Sequence, residues 1–362
     1  MDADIVVVGG GVMGLATAWR AAAAHGAGRV LLLEQFAIGH DRGSSHGPTR
    51  VFRYAYDRVE YVRMAREARA LWPEVHDEDG AVLTITGGIE VGAREHTEPV
   101  HAALTAGGAA CEWVPPSQRA ARFPWLATES DVCLYSPDTG VIGAARAIRA
   151  LTALARSSGA ELREQSTVEQ LVVDDGGVTL AVAGGAVRAR RCVVTAGPWA
   201  ASLLAPLGID LGVRVTEEVI QYHAVPVAPM PVIDRGATFF YSVPALHGAP
   251  GVKAGAHGAG RVVDPAARDG DGNPAASPEV SDWVARTFRE AVRAPVAAET
   301  CLYTTTQAEE FILDARGPLV VGSPCSGHGF KFAPLVGEVL ACLAGGREPP
   351  VPLDRFRLAA FR

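Results

Sequence analysis

At 362 residues the chain exceeds the usual size of one hydrophobic core, so two domains are expected. Its composition, 48% hydrophobic and 20% charged with 40 Gly and 24 Pro, is that of a turn-rich globular enzyme and excludes a disordered or fibrous protein. The net charge of -7 comes without a block of Lys or Arg, which leaves no electrostatic footprint for nucleic acid.

Cysteines at 111, 133, 192, 301, 325 and 342 form neither a CxxC pair nor a ligand-like grouping with histidine. No metal site is therefore expected, and the thiols read as reduced in a cytoplasmic protein. Met1-Asp2-Ala3-Asp4 supplies no basic segment, and the apolar stretch after it is broken by glycines and ends at Arg20, unlike a standard signal peptide. No apolar run approaches the ~20 residues of a membrane span.

In chain order, the β-branched run 5–8, glycines at 9, 10, 11 and 14, and an Ala-rich stretch over 13–25 read as strand, tight turn and helix. Residues 30–33 form a second buried strand and close a βαβ unit. Helical spacing of Tyr61, Met64, Ala65, Ala68 and Leu71 predicts a helix over 60–72, and Ile148, Leu151 and Leu154 predict another over 144–157. Strands are expected over 167–173 and 178–182 with a turn at Gly176 and Gly177, then over 192–195, followed by a helix starting at Pro198. Residues 213–296 change character, with short strands, prolines and a Gly/Asp/Pro/Ala loop over 264–278, and read as a second domain. A strand over 319–321, the loop SPCSGHG and a helix over 332–343 return to the first. The expected fold is a discontinuous Rossmann-type domain (1–80, 140–212 and 300–362) with an inserted mixed-sheet substrate domain (81–139 and 213–299).

Gly9-x-Gly11-x-x-Gly14 between a strand and a helix is the dinucleotide fingerprint in the context it requires. Gly9 permits the turn, Gly11 lets the backbone approach a pyrophosphate, and Gly14 lets helix and strand pack closely. The helix start at Val12 and Met13 offers free N–H groups and a positive dipole end to phosphates. Glu34, closing the second strand, can accept hydrogen bonds from ribose hydroxyls. NAD and FAD both satisfy this pattern.

GSSHGPTRVFRYAY (43–56), VVTAGPW (193–199), VKAGAH (252–257), CLYTTTQAEEFILD (301–314), SGHGFKFAPLVGEVL (326–340) and the closing PLDRFRLAAFR occur in this order. Together they resemble the FAD-dependent amino-acid oxidase family, in its sarcosine oxidase and N-methyltryptophan oxidase group. The resemblance implies a thioether between Cys301 and the 8α carbon of FAD. It implies cofactor contacts from Gly43, Ser44, His46, Arg50, Val168, Ala196, Gly197, Trp199 and the Gly327-His328-Gly329 loop, with Lys331 beside the pyrimidine end. Arg53 and Lys331 match the pair that holds a substrate carboxylate, a task suited to a planar guanidinium and a point charge. Lys253 matches the lysine that promotes reaction with oxygen, where a fixed cation stabilises developing negative charge. His257, four residues on, shares its strand face, and Tyr56, Tyr241 and Tyr303 match aromatics lining the pocket.

The implied reaction is oxidation of the C–N bond of a secondary amino acid to an imine, with O2 reduced to H2O2, by a monomer with no membrane partner. Two departures reshape the implied pocket: Ser323-Pro324-Cys325 replaces Ala-Gly-Phe, and Glu217 or Glu218 replaces a basic residue. A pipecolate-like cyclic imino-acid oxidase, a dehydrogenase using another acceptor, and a scaffold without turnover are the competing readings.

Overall fold

The computed structural model describes residues 1–25, 29–267 and 274–361. Residues 268–273 of the expected 264–278 loop and Arg362 of the closing motif lie outside them.

Strand Ala3–Val8 runs parallel to Val30–Leu33 on one side and to Gly185–Val194 on the other. Glu161–Arg163 extends the sheet beyond Val30–Leu33. The ten-residue strand Gly185–Val194 serves two partners: its first half closes an antiparallel hairpin with Gly177–Val182, and its second half pairs in parallel with Leu319–Ser323. Fully buried runs such as VLLL and LVVGS need cover on both faces, which is the environment of a parallel sheet. Helices Val12–His25, Ala144–Ser157 and Ala333–Ala344 belong to the apolar layer on one face.

The middle of the chain contains long strands where short ones were expected. Val213–His223 and Pro295–Thr306 pair antiparallel along their lengths, within a nine-stranded sheet that also holds Phe239–Val243, Val252–Ala256, Gly88–Gly92 and Val132–Ser136. The expected division at 300 falls inside Pro295–Thr306, so Cys301 lies on the second sheet. A small sheet of Thr49–Phe52, Gly140–Gly143 and Leu83–Ile85 is the third. The helix expected from Pro198 is instead a 3-10 turn, Gly197–Trp199, followed by the short α-helix Ala200–Leu204. Gly197 adopts φ +52°, a left-handed conformation that glycine takes without steric cost.

Helices Val12–His25 and Ala333–Ala344 meet at a glycine: a Cβ on Gly337 would lie 2.6 Å from the Ala16 carbonyl carbon. This contact sets the depth at which the first helix sits behind the glycine turn. Gly337→Leu is therefore expected to destabilise the fold by ~1–3 kcal/mol, the range for overpacking a filled interior. Urea unfolding of the purified enzyme measures it, and an unchanged midpoint would contradict the close packing.

Candidate active site

The glycine turn is shaped by contact. Gly9 has φ +101°, and a Cβ there would lie 2.6 Å from the Thr195 carbonyl oxygen. A Cβ on Gly14 would overlap the Gly9 carbonyl. Glu34 is 4% exposed, and its carboxylate accepts from the backbone N–H groups of Gly10 (2.6 Å) and Phe36 (2.8 Å), fixing it at the end of its strand. The Val12 N–H donates to Ser45 Oγ at 3.1 Å. Ser45 escaped the sequence reading, which chose its neighbour; Ser44 Oγ instead donates to the Leu302 carbonyl (2.6 Å) and ties the turn to the second sheet.

The alternation of β-strands brings the chemical groups onto one face. Lys253 stands opposite Tyr222, Glu218 opposite Cys301, and Ile220 opposite Glu299, across three adjacent strands. Tyr303 continues the series from Glu299 and Cys301 at every second residue. His257 keeps the alternation from Lys253, its backbone N–H donating to the Phe239 carbonyl at 2.8 Å. Gly255 between them makes room for Tyr241, since a Cβ there would lie 2.8 Å from the Tyr241 hydroxyl. Glu218 itself is buried and satisfied, accepting from Thr216 Oγ1 (2.6 Å) and the Gly260 N–H (2.9 Å), while Glu217 pairs with Arg261 at 2.8 Å.

This face, the glycine turn and the 322–331 loop enclose a cavity of about 1000 Å³. The expected site residues all line it except Gly14 and Tyr56. Gly14 lies in the helix–strand contact. Tyr56 was expected in the wall but sits behind it, because its ring stacks on Tyr61 (5.1 Å) and its hydroxyl turns to Lys331 Nζ (2.9 Å).

A directional network holds Lys331. His328 Nε2 lies 3.0 Å from the Glu309 carbonyl, which can only accept, so Nε2 carries the proton. Burial and Lys331 hold His328 well below the usual imidazole range, so the ring is neutral and Nδ1 accepts from the Tyr56 hydroxyl at 3.2 Å. The tautomer is assigned from this network. Tyr56 must then accept from Lys331 Nζ, which also donates to the His328 carbonyl at 2.7 Å. When protonated, Nζ keeps the third of its N–H groups for the cavity. Trp72 Nε1 fixes the Lys331 carbonyl at 2.8 Å. Arg53 donates to the Ala55 carbonyl and lies over the Tyr56 ring at 4.6 Å, and no ion pair joins Arg53 or Lys331 to a carboxylate among the described residues. Burial first, then Arg53, holds Lys331 well below the usual lysine range.

At the other end, Lys253 donates to the Thr49 carbonyl (3.2 Å) and is drawn down to about 7, by burial first and Arg50 second, with Glu299 opposing. Arg50 donates to the Ser44 (3.0 Å) and His46 (2.6 Å) carbonyls, and its Nη2 lies 4.0 Å from Cys301 Sγ. Burial pushes the Cys301 thiol up, while Arg50 and Lys253 pull it down. His46, held at 2.9 Å to the Thr300 carbonyl, is lowered to about 4 by burial and then Arg50.

An FAD fits these residues. The helix start, Glu34 and the cations line one cavity, and buried polar atoms without a protein partner, His46 Nδ1, Thr49 Oγ1 and Ser323 Oγ, belong to residues of its wall. The family model described as FAD dependent oxidoreductase matches residues 4–343. The chain belongs to this family. FAD, not NAD, is therefore the nucleotide of the fingerprint.

Peroxisomal sarcosine oxidase of Homo sapiens is 32% identical, the alignment covering 99% of this chain and 96% of that protein. Monomeric sarcosine oxidase of Streptomyces avermitilis is also 32% identical, over 99% and 98%. N-methyl-L-tryptophan oxidase of Yersinia pestis is 28% identical over the full length of both. Among solved structures, the open form of NikD, an unusual amino acid oxidase essential for nikkomycin biosynthesis, superposes with a TM-score of 0.83 at 28% identity, covering 98% of this chain and 96% of that one.

A carboxylate placed between Arg53 and Lys331 would supply the counter-charge that the ammonium lacks and raise the Lys331 pKa. Acetate binding to the holoenzyme is thus expected to be coupled to proton uptake and to weaken as pH rises. Calorimetry in buffers of different ionisation enthalpy checks this; binding without proton uptake and with a pH-independent Kd would contradict it.

Proposed function

We propose that this flavoenzyme oxidises the C–N bond of a secondary amino acid to an imine, with O2 reduced to H2O2. The observation that carries the reading is that Arg53 and Lys331, neither paired with a carboxylate among the described residues, line the same cavity as the dinucleotide turn. Arg53 and Lys331 grip the substrate carboxylate, which directs the amine and its α-carbon toward the face bearing His257, Tyr241 and Tyr303. FAD held by these residues would supply the two-electron acceptor for the C–N bond, with O2 as the final oxidant.

His257, between Phe239 (5.3 Å) and Tyr303 (5.4 Å), is the titratable ring placed to take the amine proton, since the nitrogen lone pair must be free for its bond to carbon to be oxidised. Lys253 stands where oxygen gains negative charge, and a desolvated cation stabilises that charge more than one in water does. The imine then hydrolyses or, in a ring, persists. The sarcosine oxidase and N-methyl-L-tryptophan oxidase relatives, named for secondary amino acids, support the substrate class. A cyclic imino acid is the second reading: Ser323, Pro324 and Cys325 all line the cavity and give it a wall unlike the one the sarcosine oxidase resemblance implies.

The covalent link belongs to this proposal. Cys301 Sγ faces the cavity beside Arg50, and a thioether there would retain the cofactor and make it a stronger oxidant. The enzyme is proposed to act as a cytoplasmic monomer.

Oxygen consumption with sarcosine, pipecolate and N-methyltryptophan, with one peroxide formed per imine, tests the reaction; no turnover of any secondary amino acid would overturn it. After acid precipitation, wild-type protein is expected to keep its yellow colour on the pellet and Cys301→Ala to lose it. Lys253→Met is expected to slow flavin reoxidation at least ~100-fold, a usual scale for removing one preorganised charge, and to leave reduction nearly unchanged. Equal slowing of both half-reactions in stopped flow would remove the oxygen role from Lys253.

A further inference from the structure

The proposed chemistry gives Glu299 no part, yet its Oε1 lies 4.0 Å from Lys253 Nζ. We propose that Glu299, held by Tyr222, is a positioning residue that anchors the Lys253 ammonium beside the reacting centre. The inference rests on the reading of Lys253 given above.

The geometry follows from strand order. Val252–Ala256, Val213–His223 and Pro295–Thr306 are neighbours, and Lys253, Tyr222 and Glu299 stand on their shared cavity-side face. The Tyr222 hydroxyl donates to Glu299 Oε1 at 2.6 Å. Tyr222 is buried, and burial followed by Glu299 raises its pKa, so it stays a neutral donor. The turn at Gly47, φ +87°, passes over the carboxylate so closely that a Cβ there would lie 3.0 Å from Oε1. Glu299 is thus fixed from two sides although 29% of its side chain is exposed. A surface carboxylate with no task would not need a buried phenol to orient it.

The charges around Lys253 give the carboxylate its effect. Strand Thr49–Phe52 presents Arg50, the preceding turn presents His46, and strand Pro295–Thr306 presents Glu299 and Cys301. From Val213–His223 comes Tyr222; on the remaining neighbour, Phe239–Val243, Val243 lies opposite Lys253 with Tyr241 two residues away. Arg50 opposes the ammonium, and burial keeps His46 and Cys301 neutral. Among the described residues, Glu299 is the carboxylate that offsets the repulsion. Glu299 touches no reacting atom and carries no proton in the reaction.

The sign of the effect is determined. Burial and Arg50 draw Lys253 down to about 7, and of the two groups that raise it, Glu299 and Cys301, Glu299 has the larger effect. Glu299→Gln, which keeps the shape and an acceptor for Tyr222, therefore discharges Lys253 at lower pH. Reoxidation, which needs the ammonium, falls on the alkaline side through this ionisation, and its falling limb moves to lower pH.

The test uses oxidised holoenzyme whose lysines carry 13C at Cε, with the Lys253 resonance identified by its loss in Lys253→Met. In Glu299→Gln the titration midpoint of that resonance is expected about one pH unit lower, a tenfold change in proton affinity, and the alkaline limb of reoxidation should move with it. Tyr222→Phe, which frees the carboxylate without removing it, should shift both in the same direction by less. An unchanged midpoint in Glu299→Gln would overturn the proposal, as would uniform slowing at every pH. If Lys253→Met reoxidises at the wild-type rate, the oxygen role of Lys253 fails, while the resonance still decides whether Glu299 sets its charge.

Discussion

Arg50, Arg53, Lys253 and Lys331 line one cavity, and among the described residues a single carboxylate, Glu299, comes within ion-pair distance of any of them. Cations in such a place are costly unless something replaces the water they have lost. Backbone carbonyls do part of this: Ser44 and His46 for Arg50, Ala55 for Arg53, Thr49 for Lys253, and His328 for Lys331. Carbonyls are dipoles and do not cancel the charge. With its lysines protonated the cavity is electropositive and favours what brings negative charge, as the dinucleotide does and as the proposed substrate carboxylate and reduced oxygen would.

The rest of the architecture keeps these cations apart yet aimed at a common space. Lys253 is held by sheet alternation, Arg50 and Arg53 by the short strand Thr49–Phe52 and the residue after it, and Lys331 by a 3-10 turn beneath Trp72. The two large sheets are joined where this matters most. Ser44 Oγ reaches the Leu302 carbonyl and His46 the Thr300 carbonyl, so the segment that meets the dinucleotide turn also brackets Cys301. A shift between the sheets would move the thiol, Arg50 and Lys253 together, so the proposed cofactor link and the proposed oxygen site would respond as one.

The features legible in the sequence are the local ones. The glycine turn with Glu34 could be read because steric limits at Gly9 and Gly14 act within a few residues, and the helix Ala144–Ser157 because its apolar stripe repeats at the helical period. The lengths of Val213–His223 and Pro295–Thr306 were hidden because each is sustained by the other across about seventy intervening positions, and neither alternates cleanly on its own. Family resemblance pointed to Cys301, Lys253, Arg53 and Lys331. It misplaced Tyr56, whose ring belongs to an aromatic stack formed by distant segments, and it passed over Ser45 and Glu299, whose partners are set by tertiary contact alone.

The most direct test of the central claim is to mix holoenzyme without oxygen with a secondary amino acid and with the same amine lacking its carboxylate, following the loss of the flavin's visible band. If Arg53 and Lys331 hold the substrate by its carboxylate, the amino acid bleaches the flavin rapidly, the decarboxylated amine does so slowly or not at all, and Arg53→Ala brings the two rates together by slowing the first. Equal rates for both compounds in the wild-type enzyme, or no bleaching by pipecolate, sarcosine or N-methyltryptophan, would contradict it.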